Sequence, residues 1–208
     1  MSNAVGTRTG GALVTVRISE PDFLNFREYE EVWEEVTSII ALSLYLGGSG
    51  AALRTRSQSR TILENVFVRR VQYGSDWILE AAVIGSGVIA GLTSVGVLLK
   101  TIASAYRDFA EARKVFAETK VIKEGSPLID NPAGVLDTED LIAILLPVGE
   151  TLPKLQAERL AQLLSDAAQQ LEDENSESDE DEQYPVTVLD ALDSLIVKQG
   201  DITVEQRE

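Results

Sequence analysis

Hydrophobic and polar positions first alternate along this chain at residues 13–18, where Val14, Val16 and Ile18 are interleaved with Thr15 and Arg17. A period of two predicts a strand with one buried face, ended here by Pro21 and Asp22. From Asn25 the spacing changes to three and four, with Tyr29, Val32, Trp33, Val36, Ile39 and Ile40 on one side and Glu28 in capping-box position. This predicts a helix that stops at Gly47 and Gly48. The glycine-rich break at 47–50 interrupts an uncharged run, 36–53, and argues against a membrane span there. Residues 54–60 read as a polar loop with three arginines, and 66–73 as a second strand pairing with the first. Arg69 and Arg70 would mark an exposed sheet edge, where charge deters unwanted pairing.

The pattern then changes character. After a turn at Gly74 and Ser75, with Ser75 or Asp76 as a helix cap, residues 81–99 form a run of nineteen positions without a charge. A helix of that length spans roughly 28 Å, close to the hydrocarbon thickness of a bilayer. Only glycines interrupt the helical reading from Trp77 to Glu124, so residues 76–124 are expected as one very long helix. Its first half is apolar; beyond Lys100 it turns amphipathic, with Ala105, Phe109, Ala112 and Phe116 in a stripe.

Residues 125–171 read as a Pro/Gly-containing linker and helices: Asp137 or Thr138 caps a short helix to Leu146, and Thr151 with Pro153 opens a longer one through Leu171. Leu152, Leu155, Leu160, Leu163, Leu164 and Leu171 line that longer helix. The acidic stretch 172–185 is expected as a disordered tether, since 172–183 has no apolar side chain to offset its ordering entropy. Residues 186–208 regain helical periodicity at Leu189, Leu192, Leu195 and Ile196 before a tail. The expected fold class is α+β and mostly helical: a disordered N-terminus (1–12), a strand–helix–strand module (13–75), the long helix, and C-terminal helices carrying the acidic segment.

Composition narrows the chemistry. The 208 residues include no cysteine and no histidine, which excludes thiolate nucleophiles, disulfides and the commonest general base and metal ligand. A non-enzymatic role with no cofactor follows as the expectation. The net charge of −16 is unevenly placed: residues 1–124 balance fourteen acids against fourteen bases, and 125–208 hold twenty acids and four bases. Such an arm is a poor match for nucleic acid, which calls for clustered Lys and Arg. The N-terminus shows no secretory signal, so a cytoplasmic location, or the cytoplasmic face of a membrane, is expected. The carboxylates Glu28, Glu30, Glu31, Glu34 and Glu35 read as a solvated helix face, with no ligand spacing facing them, so no metal is expected.

Two constellations are candidates for function. Ala82, Ser86, Ala90 and Ser94 form one ladder of small residues and Gly87 with Gly91 another, the latter a GxxxG that admits close helix approach. With Trp77 as an interfacial anchor ahead of the run, this points to a membrane-associated homo-oligomer; the alternative is a soluble assembly subunit whose apolar helix is buried between protomers. The amphipathic face of Leu189, Leu192, Leu195 and Ile196 would fold into a protein partner's groove, or dock back on its own module.

The residues AVIGSGVIAGL, at 82–92, also resemble the strand, turn and helix start of a dinucleotide-binding loop, as in flavin-dependent amino-acid oxidases. The resemblance would give Gly85, Gly87 and Gly91 a pyrophosphate-binding role in a flavin- or dinucleotide-binding enzyme. Their spacing is one residue longer than GxGxxG, and Glu118 is the acid available for a ribose.

Overall fold

The computed structural model describes residues 11–19, 26–48, 53–64, 66–73, 76–84, 87–120, 136–172, 184–198 and 201–207. Strand β1 (Gly11–Ser19) places Ala12, Val14, Val16 and Ile18 in the core, as its alternation requires. Helix α1 (Phe26–Leu46) buries Val32, Val36, Ile39 and Ile40 and passes into a turn at Gly47 and Gly48, the latter with a φ of 94° that suits a residue without a side chain. The cap expected at Asn25 and the turn at Gly74 and Ser75 lie outside the described residues.

Of the expected loop 54–60, residues 56–60 are helical. Helix α2 (Arg56–Leu63) opens on a complete capping box, in which the Thr55 side chain accepts from Gln58 N–H and the Gln58 side chain accepts from Thr55 N–H. Strand β2 (Val66–Tyr73) pairs not with β1 but with β3 (Asp76–Ile84), with a bulge between Val68 and Arg70.

Strand β3 is the largest departure from the expected order, because it occupies the start of the region 76–124 that read as one helix. Trp77, Leu79, Ala81 and Val83 are buried in strict alternation with partly exposed neighbours, so the segment satisfies a period of two as well as a helical one. Its position between β1 and β2, with ladders on both sides, decides in favour of the strand. Asp76 accordingly begins a strand instead of capping a helix, and its carboxylate accepts from Arg17 Nε at 2.9 Å across the β1–β3 ladder. Helix α3 (Val88–Lys120) follows Gly87, whose φ of 84° permits the sharp strand-to-helix turn. Side chains beyond Asp108, including the Phe109, Ala112 and Phe116 stripe, lie outside the described set.

Helix α4 (Thr138–Leu145) starts as expected, with Asp137 accepting from Asp140 N–H at 2.8 Å. A 3₁₀ turn (Leu146–Thr151) leads into α5 (Lys154–Glu172), then α6 (Tyr184–Val197) and β4 (Asp201–Arg207). The end of the chain, expected as a tail, is thus an edge strand paired antiparallel with β1. The linker 125–135 and the acidic run 173–183 lie outside the described residues, as do residues 1–10 of the N-terminus expected to be disordered.

The sheet has the order β2-β3-β1-β4 with every neighbouring pair antiparallel. Element order and sheet order together are those of a split β-α-β-β-α-β arrangement, in which α1 and α3 are the two crossover helices. Here α2 follows α1 before β2, and α4, α5 and α6 form an insertion between α3 and β4 that packs back on α1 and α3. One continuous hydrophobic cluster unites the inner sheet face with α1, α3 and the insertion, so the chain is mostly helical around a small antiparallel sheet.

Candidate interaction surfaces

The small-residue ladders are not one face. Ala82 is half-buried in β3, Ser86 lies outside the described residues, Gly87 is in the turn, and Ala90 is exposed on α3. Gly91 and Ser94 are buried, and what Gly91 meets is α1 of the same chain. A Cβ on Gly91 would stand 1.7 Å from the Ser43 carbonyl oxygen, and one on Gly87 would stand 1.7 Å from that of Gly47. The GxxxG does bring two backbones together, as its spacing implies, but the second helix is intramolecular. Ser43 and Ser94 donate within their own helices, to Ile39 O at 2.8 Å and Ala90 O at 2.9 Å, so neither hydroxyl is left unsatisfied in this seam.

The same contact bears on the dinucleotide resemblance. Strand, turn and helix start occur where the resemblance places them, yet the neighbouring strands are antiparallel and the carbonyls of Ser43 and Gly47 lie against the two glycines. Carbonyl oxygens repel a pyrophosphate, which needs N–H donors at that place.

Trp77 is no interfacial anchor. It is almost fully buried in β3, and Tyr29 and Trp33 of α1 pack edge-on to it with ring centroids at 6.4 and 6.5 Å. Its indole N–H has no hydrogen-bond partner among the described residues. Tryptophan emission should therefore be blue-shifted in the free protein and hold its wavelength when lipid vesicles are added. A vesicle-induced shift in a Trp33→Phe variant, where Trp77 alone reports, would contradict this placement.

Beside this cluster, Arg27, Tyr29, Glu30, Glu31, Trp33 and Glu34 line an open cavity of about 590 Å³. Two of its three carboxylates are in ion pairs: Arg27 Nε meets Glu31 at 3.1 Å and Arg56 meets Glu34 at 3.4 Å. Farther along α1, Glu35 accepts from Lys198 at 2.8 Å and from the Ser194 hydroxyl at 2.8 Å, tying α1 to α6. Among the described residues no group of three or more acids converges on a metal position.

Leu189, Leu192 and Leu195 of α6 are fully buried and Ile196 partly so, all within or against the main core. The face assigned to a partner's groove is therefore docked on its own module, because α6 fills the space between α1, α3 and α5. A polar seam fastens it there. Tyr106 on α3 donates to Asp193 at 2.6 Å and accepts from Leu136 N–H at 3.2 Å, while the Thr138 hydroxyl donates to Asp190 at 3.2 Å. Burial raises the Asp193 carboxyl above its ordinary range, against the opposing effect of the Tyr106 hydrogen bond; burial likewise raises Asp190. Burial and the donated hydrogen bond to Asp193 push the Tyr106 phenol up to about 12.

A raised carboxyl means that the folded state binds more protons than the unfolded one between the ordinary carboxylate range and the folded value. Stability falls as pH rises through that window and is recovered on acidification. Asp193→Asn should flatten this part of the profile, a difference visible in melting temperatures between pH 4 and pH 7. An unchanged slope in the variant would remove Asp193 as its source.

The surface offers a different concentration of apolar groups. Phe67 is 54% exposed, Val68 48% and Val71 39%, all on the edge strand β2, and Ile84 at the end of β3 is similarly open. Arg69 and Arg70 are exposed among them, Arg70 donating to Gln72 at 2.6 Å and standing 3.8 Å from Glu80. The two arginines do lie on a sheet edge, as their pattern suggests. The apolar residues beside them carried no such signal, since their spacing fits an ordinary buried strand equally well.

One helical stretch, Val88–Asp108, is long and apolar enough to cross a membrane by length and composition. Its residues Val88, Leu92, Val95, Leu98 and Ile102 face the core, and Ile89, Ala90, Thr93 and Gly96 are exposed. No protein-family model, curated protein or solved structure matches this chain.

Proposed function

We propose that this chain is a non-enzymatic assembly subunit: a split β-α-β-β-α-β module that associates with further copies of itself through an exposed part of its sheet. The observation that carries this reading is the row of large apolar side chains on β2, a strand with an unpaired edge among the described residues. An apolar edge strand is a template for pairing with another chain, and monomeric proteins usually shield it. The chain's lack of histidine and cysteine accords with a role in assembly more than in catalysis. Light scattering on a sizing column without detergent tests it: a defined oligomer at micromolar concentration is expected, and a monomer throughout would refute the reading.

Membrane association is the second reading, supported by the apolar stretch Val88–Asp108 and its exposed side. It implies the cytoplasmic face of a membrane, with the acidic C-terminal region available to protein partners. Recovery of the chain wholly in the soluble fraction, and no co-flotation with anionic vesicles, would count against it.

A further inference from the structure

The two edges of the sheet differ in charge and are alike in apolar pattern. Register places Phe67, Arg70 and Gln72 of β2 opposite Ala82, Glu80 and Ile78, the outward positions of β3. Val66, Val68, Val71 and Tyr73 stand opposite its core positions. On the other edge, Asp201, Thr203, Glu205 and Arg207 of β4 stand opposite the outward positions of β1, while Ile202 and Val204 stand opposite Val16 and Val14. By register position, β2 thus sets Arg70 with the outward residues of β3 and Val71 with its core residues; β4 sets Asp201, Glu205 and Arg207 with the alternate residues of β1 and Ile202 and Val204 with its core residues.

Strand directions complete the match. Both β2 and β1 run antiparallel to β3, and β4 runs antiparallel to β1, so β2 and β4 run in opposite directions. A second copy moved sideways along the sheet, without being turned over, brings its β4 against β2 as one more antiparallel strand. The helices of both copies then stay on the same side.

From this juxtaposition we propose that the occupant of the β2 edge is the β4 strand of a second copy of this chain, joined head to tail. The proposal rests on the assembly reading above and names its surface. Antiparallel pairing with Arg70 opposite Glu205 also sets Val71 opposite Val204 and Tyr73 opposite Ile202. From Arg70 to Tyr73 outward register positions then meet outward ones and inward positions inward ones, with Gln72 opposite Thr203; beyond the bulge the phase is lost, and Val68 falls opposite Arg207. Pairing of β2 with its own copy is disfavoured, because an antiparallel match about the strand centre sets Arg69 and Arg70 against each other. The arginines and the bulge therefore guard the edge against itself while admitting an acidic strand. A purely protective edge has no need of Phe67, Val68 and Val71 left exposed on both faces. Because the contact uses two different surfaces, it repeats, giving a ring or an open filament.

The test is a charge exchange read by sedimentation velocity and light scattering, with circular dichroism as the folding control. Arg70→Glu and Glu205→Arg, each alone, are expected to weaken self-association at least about tenfold, since each sets like charges across the new ladder. An equimolar mixture of the two should assemble again, because Arg70 of one variant meets Glu205 of the other and the exchanged pair restores the alternate contact. The double variant should assemble alone. If Arg70→Glu fails to fold, Arg70→Gln paired with Glu205→Gln provides the same weakening without reversal. An oligomer that neither single variant disturbs overturns the β2–β4 contact and leaves the assembly reading standing. Loss in both singles without recovery in the mixture also overturns it, and a wild-type monomer overturns both.

Discussion

Replacing Gly91 by Ala should cost at least about 3 kcal/mol of folding stability, while the same replacement at Gly96, five residues on in the same helix, should gain up to about 1 kcal/mol. The two sites share helix α3 and differ in what a methyl group would meet. At Gly91 it would lie 1.7 Å from Ser43 O in α1 and 2.7 Å from Gly47 N in the turn that follows it, both backbone atoms, so no side-chain rotation relieves the overlap. The helices must separate, and their separation opens the core around Ile39, Ile40, Leu42 and Val95. At Gly96 nothing stands within 4 Å, and alanine supplies only its better helix propensity. Against a total stability on the order of 5–15 kcal/mol, that loss is a large share, and the Gly91 variant should unfold at a much lower urea concentration than the parent. Urea midpoints followed by circular dichroism decide the matter. Similar midpoints for the two variants would mean that α1 and α3 are not in backbone contact. The comparison also separates packing within one chain from packing between chains: an intramolecular seam loses stability independently of protein concentration.

How much of this was legible beforehand depends on whether one element or several decide a segment. Strand β1, helix α1 and the Asp137 cap are local events, set by period, capping residue and glycine stop, and the structure has them within a residue or two. Strand β3 is different. Its residues Trp77, Ile78, Leu79, Glu80, Ala81, Ala82, Val83 and Ile84 suit a strand or an apolar helix, and the choice falls to the ladders with β1 and β2, which are contacts distant in sequence. Once that strand forms, the uncharged run 81–99 is divided between β3, a turn and the head of α3, and the nineteen-residue helix disappears. Close approach at Gly87 and Gly91 was legible as spacing, but spacing does not say whether the partner helix belongs to the same chain. Capping by Thr55 and Gln58 was readable in principle; three arginines within residues 54–60 masked it as solvent-exposed loop. The strand character of 201–207 rests on two apolar residues, Ile202 and Val204, too few to stand out from a tail.

The other large effect is expected at the C-terminal end, where Leu192→Asp should abolish cooperative folding and Val197→Asp should change stability by no more than about 0.5 kcal/mol. Leu192 is fully buried in α6, and Val197, five residues on in the same helix, is 56% exposed. Truncating Leu192 to alanine alone would cost about 2–5 kcal/mol for lost burial and the cavity left behind. A carboxylate buried at that site adds a desolvation penalty, and Lys198, six residues on, is already paired with Glu35. The alternative role for this helix, insertion into a partner's groove, makes the opposite forecast: Leu192→Asp would leave the module folded and weaken only binding. Thermal melts and one-dimensional proton spectra distinguish the two without any partner in hand. Loss of dispersed methyl signals in Leu192→Asp, with Val197→Asp resembling the parent, supports α6 as a core element. A folded Leu192→Asp chain with an unchanged melting temperature would return the helix to the surface. Because β4 follows α6 directly and completes the sheet against β1, displacing α6 would also release the edge that the head-to-tail contact needs. Folding of the insertion and assembly of the sheet are then coupled, so Leu192→Ala should weaken self-association as well as stability.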